Sequence, residues 1–184
     1  MEPGSSTSSL DETRVSGDNA LEVIILIGLQ GAGKSTFRSQ RFAETHAVVS
    51  KDLLRNDRRP ERRQRHLMLA ALASGMSVVV DNTNPSVGER ASIIDAAREA
   101  GARVRGYFFD SPLPECAARN DLRPAQTRVP RVGLLDAARR LVLPTRAEGF
   151  CELLTVRTLP DRRFEIAPYE ERAGSGRVRN SVSR

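Results

Sequence analysis

Between Gly28 and Thr36 the chain reads GLQGAGKST, three glycines around a loop that ends in Gly-Lys-Ser-Thr. The pattern is G-x-x-x-x-G-K-[ST]. Glycines at this spacing let the backbone curl so that its amides face phosphate oxygens, and a helix that begins there adds its positive end. Lys34 then reaches the β- and γ-phosphates, and the Ser35 hydroxyl is offered to Mg²⁺. Gly28, Leu29, Gln30, Gly31, Ala32, Gly33, Lys34, Ser35 and Thr36 are therefore the candidate ATP-binding set, with ATP and Mg²⁺ as the expected cofactors. A loop of this kind also needs an acid near the metal. SVVVD ends an apolar run at Asp81, and VVSKDLLR carries Asp52 after a shorter one. Asp81 has the longer run and takes the metal position beside Ser35, which leaves Asp52 for another task.

That task separates two chemistries. An NTPase positions water, whereas a kinase positions an acceptor hydroxyl and is helped by a carboxylate that takes its proton. Asp52 follows a strand-like run, so it is expected at the crevice beyond the strand ends where such sheets bind ligands. Arg55, three residues on, shares its helical face if a helix starts there. An arginine beside a base suits an acceptor that carries its own phosphate. On spacing alone, however, the pair reads more simply as a first-turn acid next to an arginine.

The elements that must position these groups alternate along the chain. Apolar runs at 22–28, 47–50, 77–82, 103–110 and 152–158 hardly alternate in polarity, as in strands covered on both faces. Helical patterns fall at 34–43, 61–74, 86–100, 112–120 and 130–141, with Gly75 and Gly101 where helix C-termini need them. The expectation is a mainly parallel, five-stranded α/β sandwich over residues 21–170. Residues 1–20 are rich in Ser, Gly and acids and are expected to be a disordered tail, and 171–184 a flexible basic one.

Composition narrows the partners. The 184 residues carry a net charge of +6, of which residues 21–170 contribute the whole +6 and the two tails cancel. The basic excess thus lies in the domain, consistent with a polyanionic partner. Aromatics are only 4%, against a surface of stacked rings. Of 29 basic side chains two are lysines, Lys34 and Lys51. Cys116 and Cys151 lack metal-ligand spacing. No window suits a membrane span and no signal peptide is visible, so a cytoplasmic protein with no membrane partner is expected. His46 and His66 have no partner at useful spacing and read as structural or solvated. Tyr107, Phe108 and Phe109 read as core. RRPERRQR (58–65) reads equally as a nucleic-acid groove and as a solvated helix start.

After the loop, SKDLLR (50–55), VVVDNTNP (78–85), RNDLRPAQTRVP (119–130) and LPTRAEGFCELLTV (143–156) follow in an order that resembles the kinase domain of the polynucleotide 5′-hydroxyl kinases, over roughly residues 22–158. The resemblance implies a P-loop kinase three-layer sandwich with an arginine-bearing helical lid, and γ-phosphate transfer from ATP to a 5′-OH end of DNA or RNA. It implies that Asp52 is the general base and that Arg55 holds the phosphate 3′ to the acceptor nucleoside. Asn82 and Asn84 fall near the acceptor, with Asp81 near the metal. Arg119 and Arg123 fall in the lid over the donor phosphates, an assignment their i, i+4 spacing suits. Lys51 is a candidate nucleic-acid contact, Arg128 is ambiguous, and Phe150 is implied to pack near the nucleotide. Many members carry a 3′-phosphatase with an Asp-x-Asp signature. No such triplet occurs here, so kinase activity without phosphatase activity is expected. Two rivals remain: a small-molecule kinase for a sugar, nucleoside or antibiotic, and a nucleotide-dependent nucleic-acid-binding module.

Overall fold

The computed structural model describes residues 20–51, 57–159, 161 and 163–171. Asp52, Arg55, residues 1–19 and residues 172–184 lie outside the described residues. The β-branched run Glu22–Ile27 forms β1, and Val23 to Ile27 are wholly buried. The glycine loop then leads into α1 (Lys34–Arg41). There follow β2 (His46–Val49), α2 (Pro60–Ala73), β3 (Ser77–Val80), α3 (Val87–Glu99) and β4 (Arg103–Phe109). Two further helices, α4 (Leu113–Asp121) and α5 (Arg131–Arg140), precede a 3₁₀ turn at Arg146–Glu148, β5 (Glu152–Thr158) and β6 (Phe164–Pro168). The strand order is β2-β3-β1-β4-β5-β6, parallel except for β6, which runs antiparallel to β5.

The sheet therefore has six strands where five are expected from the pattern. The missed strand, FEIAP, is short, mostly exposed and ends in Pro168, a residue tolerated only at a sheet edge. Its lack of a buried apolar run hid it.

Parallel strands bring the C-terminal ends of β2, β3 and β1 to one edge, since Val49 pairs with Val80 and Ile25 with Val80 across the register. Below that edge Phe37 of α1 is fully buried among Tyr107, Phe109 and Phe164, with ring centroids 5.2, 5.4 and 5.2 Å away. Edge-on aromatic packing of this kind adds to area burial, and it fixes α1 against β4 and β6. Phe108 is buried on the opposite face, against Tyr169. Phe150 differs from its implied place: it packs where a Cβ on Gly106 would touch it. Strand alternation puts Gly106 with Phe108, on the side away from α1.

The α3 layer is held by a buried charge. Arg90 has no exposed surface, and its Nε and Nη2 donate to the two Glu148 oxygens at 2.6 and 2.8 Å. Its Nη1 donates to the carbonyls of Asn84, Pro85 and Val142. Glu148 also accepts from the Thr145 amide at 2.9 Å. A bidentate, fully satisfied guanidinium tolerates burial, but removing one partner strands the other. Glu148→Ala should lower unfolding stability by about 3–5 kcal/mol in urea titrations; a loss below about 1 kcal/mol would show that the pair does not hold the fold together.

Candidate nucleotide and acceptor site

Four carbonyls of the loop after β1 accept side-chain hydrogen bonds. Lys34 Nζ donates to Gly28 O at 2.8 Å and to Leu29 O at 2.7 Å. Arg119 Nε, from α4, donates to Gly31 O at 2.7 Å, and Thr158 Oγ1, at the end of β5, to Ala32 O at 3.2 Å. These four carbonyls are thus taken by side chains, while the amides of the first turn of α1 have no intrahelical partner. Gly31 has φ +81°, and a Cβ there would lie 2.3 Å from Cys116 O. Gly33 has φ +97°, and its Cβ would meet Thr158 Oγ1 at 2.9 Å. The glycine pattern thus answers both to backbone conformation and to the elements pressed against it. Cys116 is buried under Gly31, and burial pushes its thiol up, opposed by the neighbouring Arg119 guanidinium.

The Arg119 Nη2 is buried without a hydrogen-bond partner. A buried guanidinium nitrogen beside a cradle of amides suits an anionic ligand. A cavity of about 300 Å³ opens there, lined by Gly31, Gly33, Thr36, Arg119, Leu122, Arg123, Thr158 and Phe164. Both expected lid arginines border it. The lid is less free than the resemblance suggests, because Arg119 is tied to the loop and α4 packs on Gly31. Asn120, 2% exposed, donates to Val129 O at 2.8 Å and accepts from Val129 N at 3.0 Å, pinning both ends of the 121–128 segment. Arg128 donates to Arg123 O from Nε and Nη2, at 3.3 and 3.0 Å.

Among the described residues no three metal-binding side chains of His, Cys, Asp or Glu gather. Mg²⁺ does not require that, since it commonly takes one carboxylate, phosphate oxygens and water. Asp81 follows β3, and its Oδ2 lies 3.2 Å from Arg38 Nε of α1. Ser35 is exposed on the first turn of the same helix. A carboxylate and a hydroxyl joined through α1 fit the hard-oxygen donor set of Mg²⁺.

The neighbouring edge is organised by amides. Asn82 Oδ1 accepts from Lys51 N at 2.8 Å, and Asn82 Nδ2 donates to Gln64 Oε1 at 2.8 Å. Gln64 of α2 is buried and so fixes which way the Asn82 amide points. Lys51 Nζ lies 3.3 Å from Glu61 Oε1 and 3.9 Å from Glu89 Oε1. Asn84, expected near the acceptor, is 2% exposed and donates to Leu26 O at 2.8 Å, so its side chain locks β1 to this loop. Its φ of +44° is one that asparagine tolerates. The Thr83 carbonyl accepts from Gly28 N at 3.0 Å, a second lock. His46 pairs with Glu22 at 3.3 Å, the structural role expected of it, and His66 is exposed. Gln64, Asn120, Thr158 and Phe164 were not singled out by their residue types; Asn120 and Gln64 lie inside RNDLRPAQTRVP and RRPERRQR, and only tertiary contact shows what each does.

The profile of a family described as an AAA domain matches residues 23–144. A bifunctional polynucleotide phosphatase/kinase from Schizosaccharomyces pombe is 30% identical over 134 residues, 70% of this chain and 32% of that protein. A second relative, from Acanthamoeba polyphaga mimivirus, is 29% identical over 161 residues, 83% of this chain and 37% of its own. The chain thus spans about a third of the length of these curated relatives. Among solved structures, a chain of the Pnkp1/Rnl/Hen1 RNA repair complex superposes with a TM-score of 0.56 at 24% identity, covering 67% of this chain and 44% of that one. The fold is that of a P-loop kinase.

Gly31→Ala should weaken adenine-nucleotide binding at least about tenfold, read by calorimetric titration, because the added methyl must displace α4. Gly88→Ala, whose Cβ would meet nothing within 4 Å, should leave binding unchanged. Equal binding by both variants would show that the interlock with α4 does not shape the cradle.

Proposed function

We propose that the chain, which belongs to the AAA-domain family of P-loop proteins, is an ATP-dependent kinase that transfers the γ-phosphate to the 5′-hydroxyl end of DNA or RNA. The observation that carries this reading is the strand order. Parallel β2, β3 and β1 lie side by side, so the segment after Val49, the Asp81 loop and the glycine loop share one sheet edge. An edge of this kind suits a donor nucleotide with an acceptor beside it. The names of the two curated relatives support a polynucleotide as the acceptor.

In this reading Lys34 leaves its loop carbonyls to hold the donor phosphates, and the loop amides orient them. Mg²⁺, held by Asp81 and Ser35, would neutralise charge on the phosphates when bound. Arg119 and Arg123, bordering the donor cavity, offset the charge that develops on the transferring group. Asp52 takes the proton of the 5′-hydroxyl as the new oxygen–phosphorus bond forms and the bond to the bridging oxygen of ADP breaks. Arg55 holds the phosphate 3′ to the acceptor. Asn82 keeps the Lys51 backbone, one residue before the base, in register with the glycine loop.

Incubation with γ-labelled ATP and a panel of 5′-OH DNA, RNA, nucleosides and sugars should label the oligonucleotides. Preferential labelling of a free metabolite would instead favour a small-molecule kinase. Tight oligonucleotide binding without transfer would leave only a binding module. Asp52→Ala should reduce transfer by about 10²–10⁴-fold with ATP affinity nearly intact; a rate within a few fold of wild type would remove Asp52 from the base role.

A further inference from the structure

Arg58, Arg59, Arg62 and Arg63, with His66 and the carboxylate of Asp57, line a cavity of about 390 Å³ at the start of α2. All six are exposed. Among the described residues none of these four arginines has an ion-pair partner, and Asp57 accepts the Arg59 backbone amide at 2.9 Å. Cations on or against the other side of the same helix are treated differently. Arg65 is paired with Glu99, and Lys51 sits between Glu61 and Glu89. One flank of α2 is thus neutralised and the other is left strongly positive.

We infer that this positive flank is a track for the phosphodiester backbone of the acceptor strand, beyond its terminal nucleotide. The inference rests on the proposed function and extends it to substrate length. Three observations carry it. A helix that follows a parallel strand starts at the strand's C-terminal edge, so the first turn of α2 stands beside the acceptor edge, and Gln64 of that helix already reaches Asn82 there. From Arg59 to His66 the helix rises about 10 Å, and duplex phosphates recur every ~3.4 Å along a strand, so two to three phosphates fit. The forked guanidinium matches a phosphate's oxygens, and four of the six lining side chains are arginines, so the contact is chiefly to backbone phosphate.

The test is steady-state kinetics with 5′-OH oligonucleotides of two to twelve nucleotides at 50 and 200 mM salt. For wild type, KM should fall with length over the first few nucleotides and then level. Three phosphate contacts on a single strand give a salt slope near −2, so KM of the dodecamer should rise about 20-fold across that salt range. In the triple variant Arg59→Gln, Arg62→Gln, Arg63→Gln, the dodecamer KM should approach that of the dinucleotide and the salt dependence should collapse, with kcat retained. Arg65→Gln, on the neutralised flank, should keep both the length and the salt dependence. An unchanged length dependence in the triple variant would overturn the track. So would polyglutamate competing as well as a single-stranded oligonucleotide. If no acceptor is phosphorylated, the kinase reading fails; fluorescence anisotropy of a labelled dodecamer, compared between wild type and the triple variant, still decides the track.

Discussion

One buried guanidinium sets the geometry on which the site depends. Arg90 uses Glu148 on one side and three backbone carbonyls on the other, including those of Asn84 and Pro85. The loop it grips is the loop that receives the Gly28 amide on Thr83 and holds Leu26 through Asn84. A charge removed from water at this depth is tolerated only with every donor matched. The segment around Glu148 therefore cannot shift without moving the β3 loop, and the β3 loop cannot shift without moving the entry to the glycine cradle. The capping boxes at Ser86–Glu89 and Thr145–Glu148 fix the two pieces that carry the pair.

This constraint explains why the sequence disclosed some parts of the site and concealed others. The glycine loop was legible because its conformation demands specific residues at fixed spacing. The strands of the parallel sheet were legible because burial on both faces leaves continuous apolar runs, and their bounds fall within about two residues of the expected ones. The antiparallel edge strand was not, since FEIAP carries neither alternation nor a buried run. DNTNP could be recognised as a motif, but its division of labour could not. Asp81 faces Arg38, Asn82 bridges Lys51 and Gln64, and Asn84 turns inward to Leu26. Those differences arise from a left-handed backbone at one residue and from partners dozens of positions away.

The same reasoning separates the two flanks of α2. Their sequence, RRPERRQR, is mostly arginine, and only the fold shows that Arg65 finds Glu99 while Arg59, Arg62 and Arg63 have no side-chain ion pair among the described residues. Gln64, between them, is turned into the protein to hold Asn82. A single helix thereby serves the core, the acceptor edge and the solvent in successive residues, a consequence of the 100° step between side chains.

Lys34 has a thermodynamic role of its own in the cradle. Its ammonium is satisfied by two carbonyls at 2.7 and 2.8 Å, so the lysine itself ties the loop together. An arriving anion must replace those bonds, and the net gain is the difference between two sets of hydrogen bonds, not the full strength of the new ones. The latch trades affinity for order: the cradle does not need to be assembled by its ligand, and it releases a product phosphate more readily than an unsatisfied lysine would.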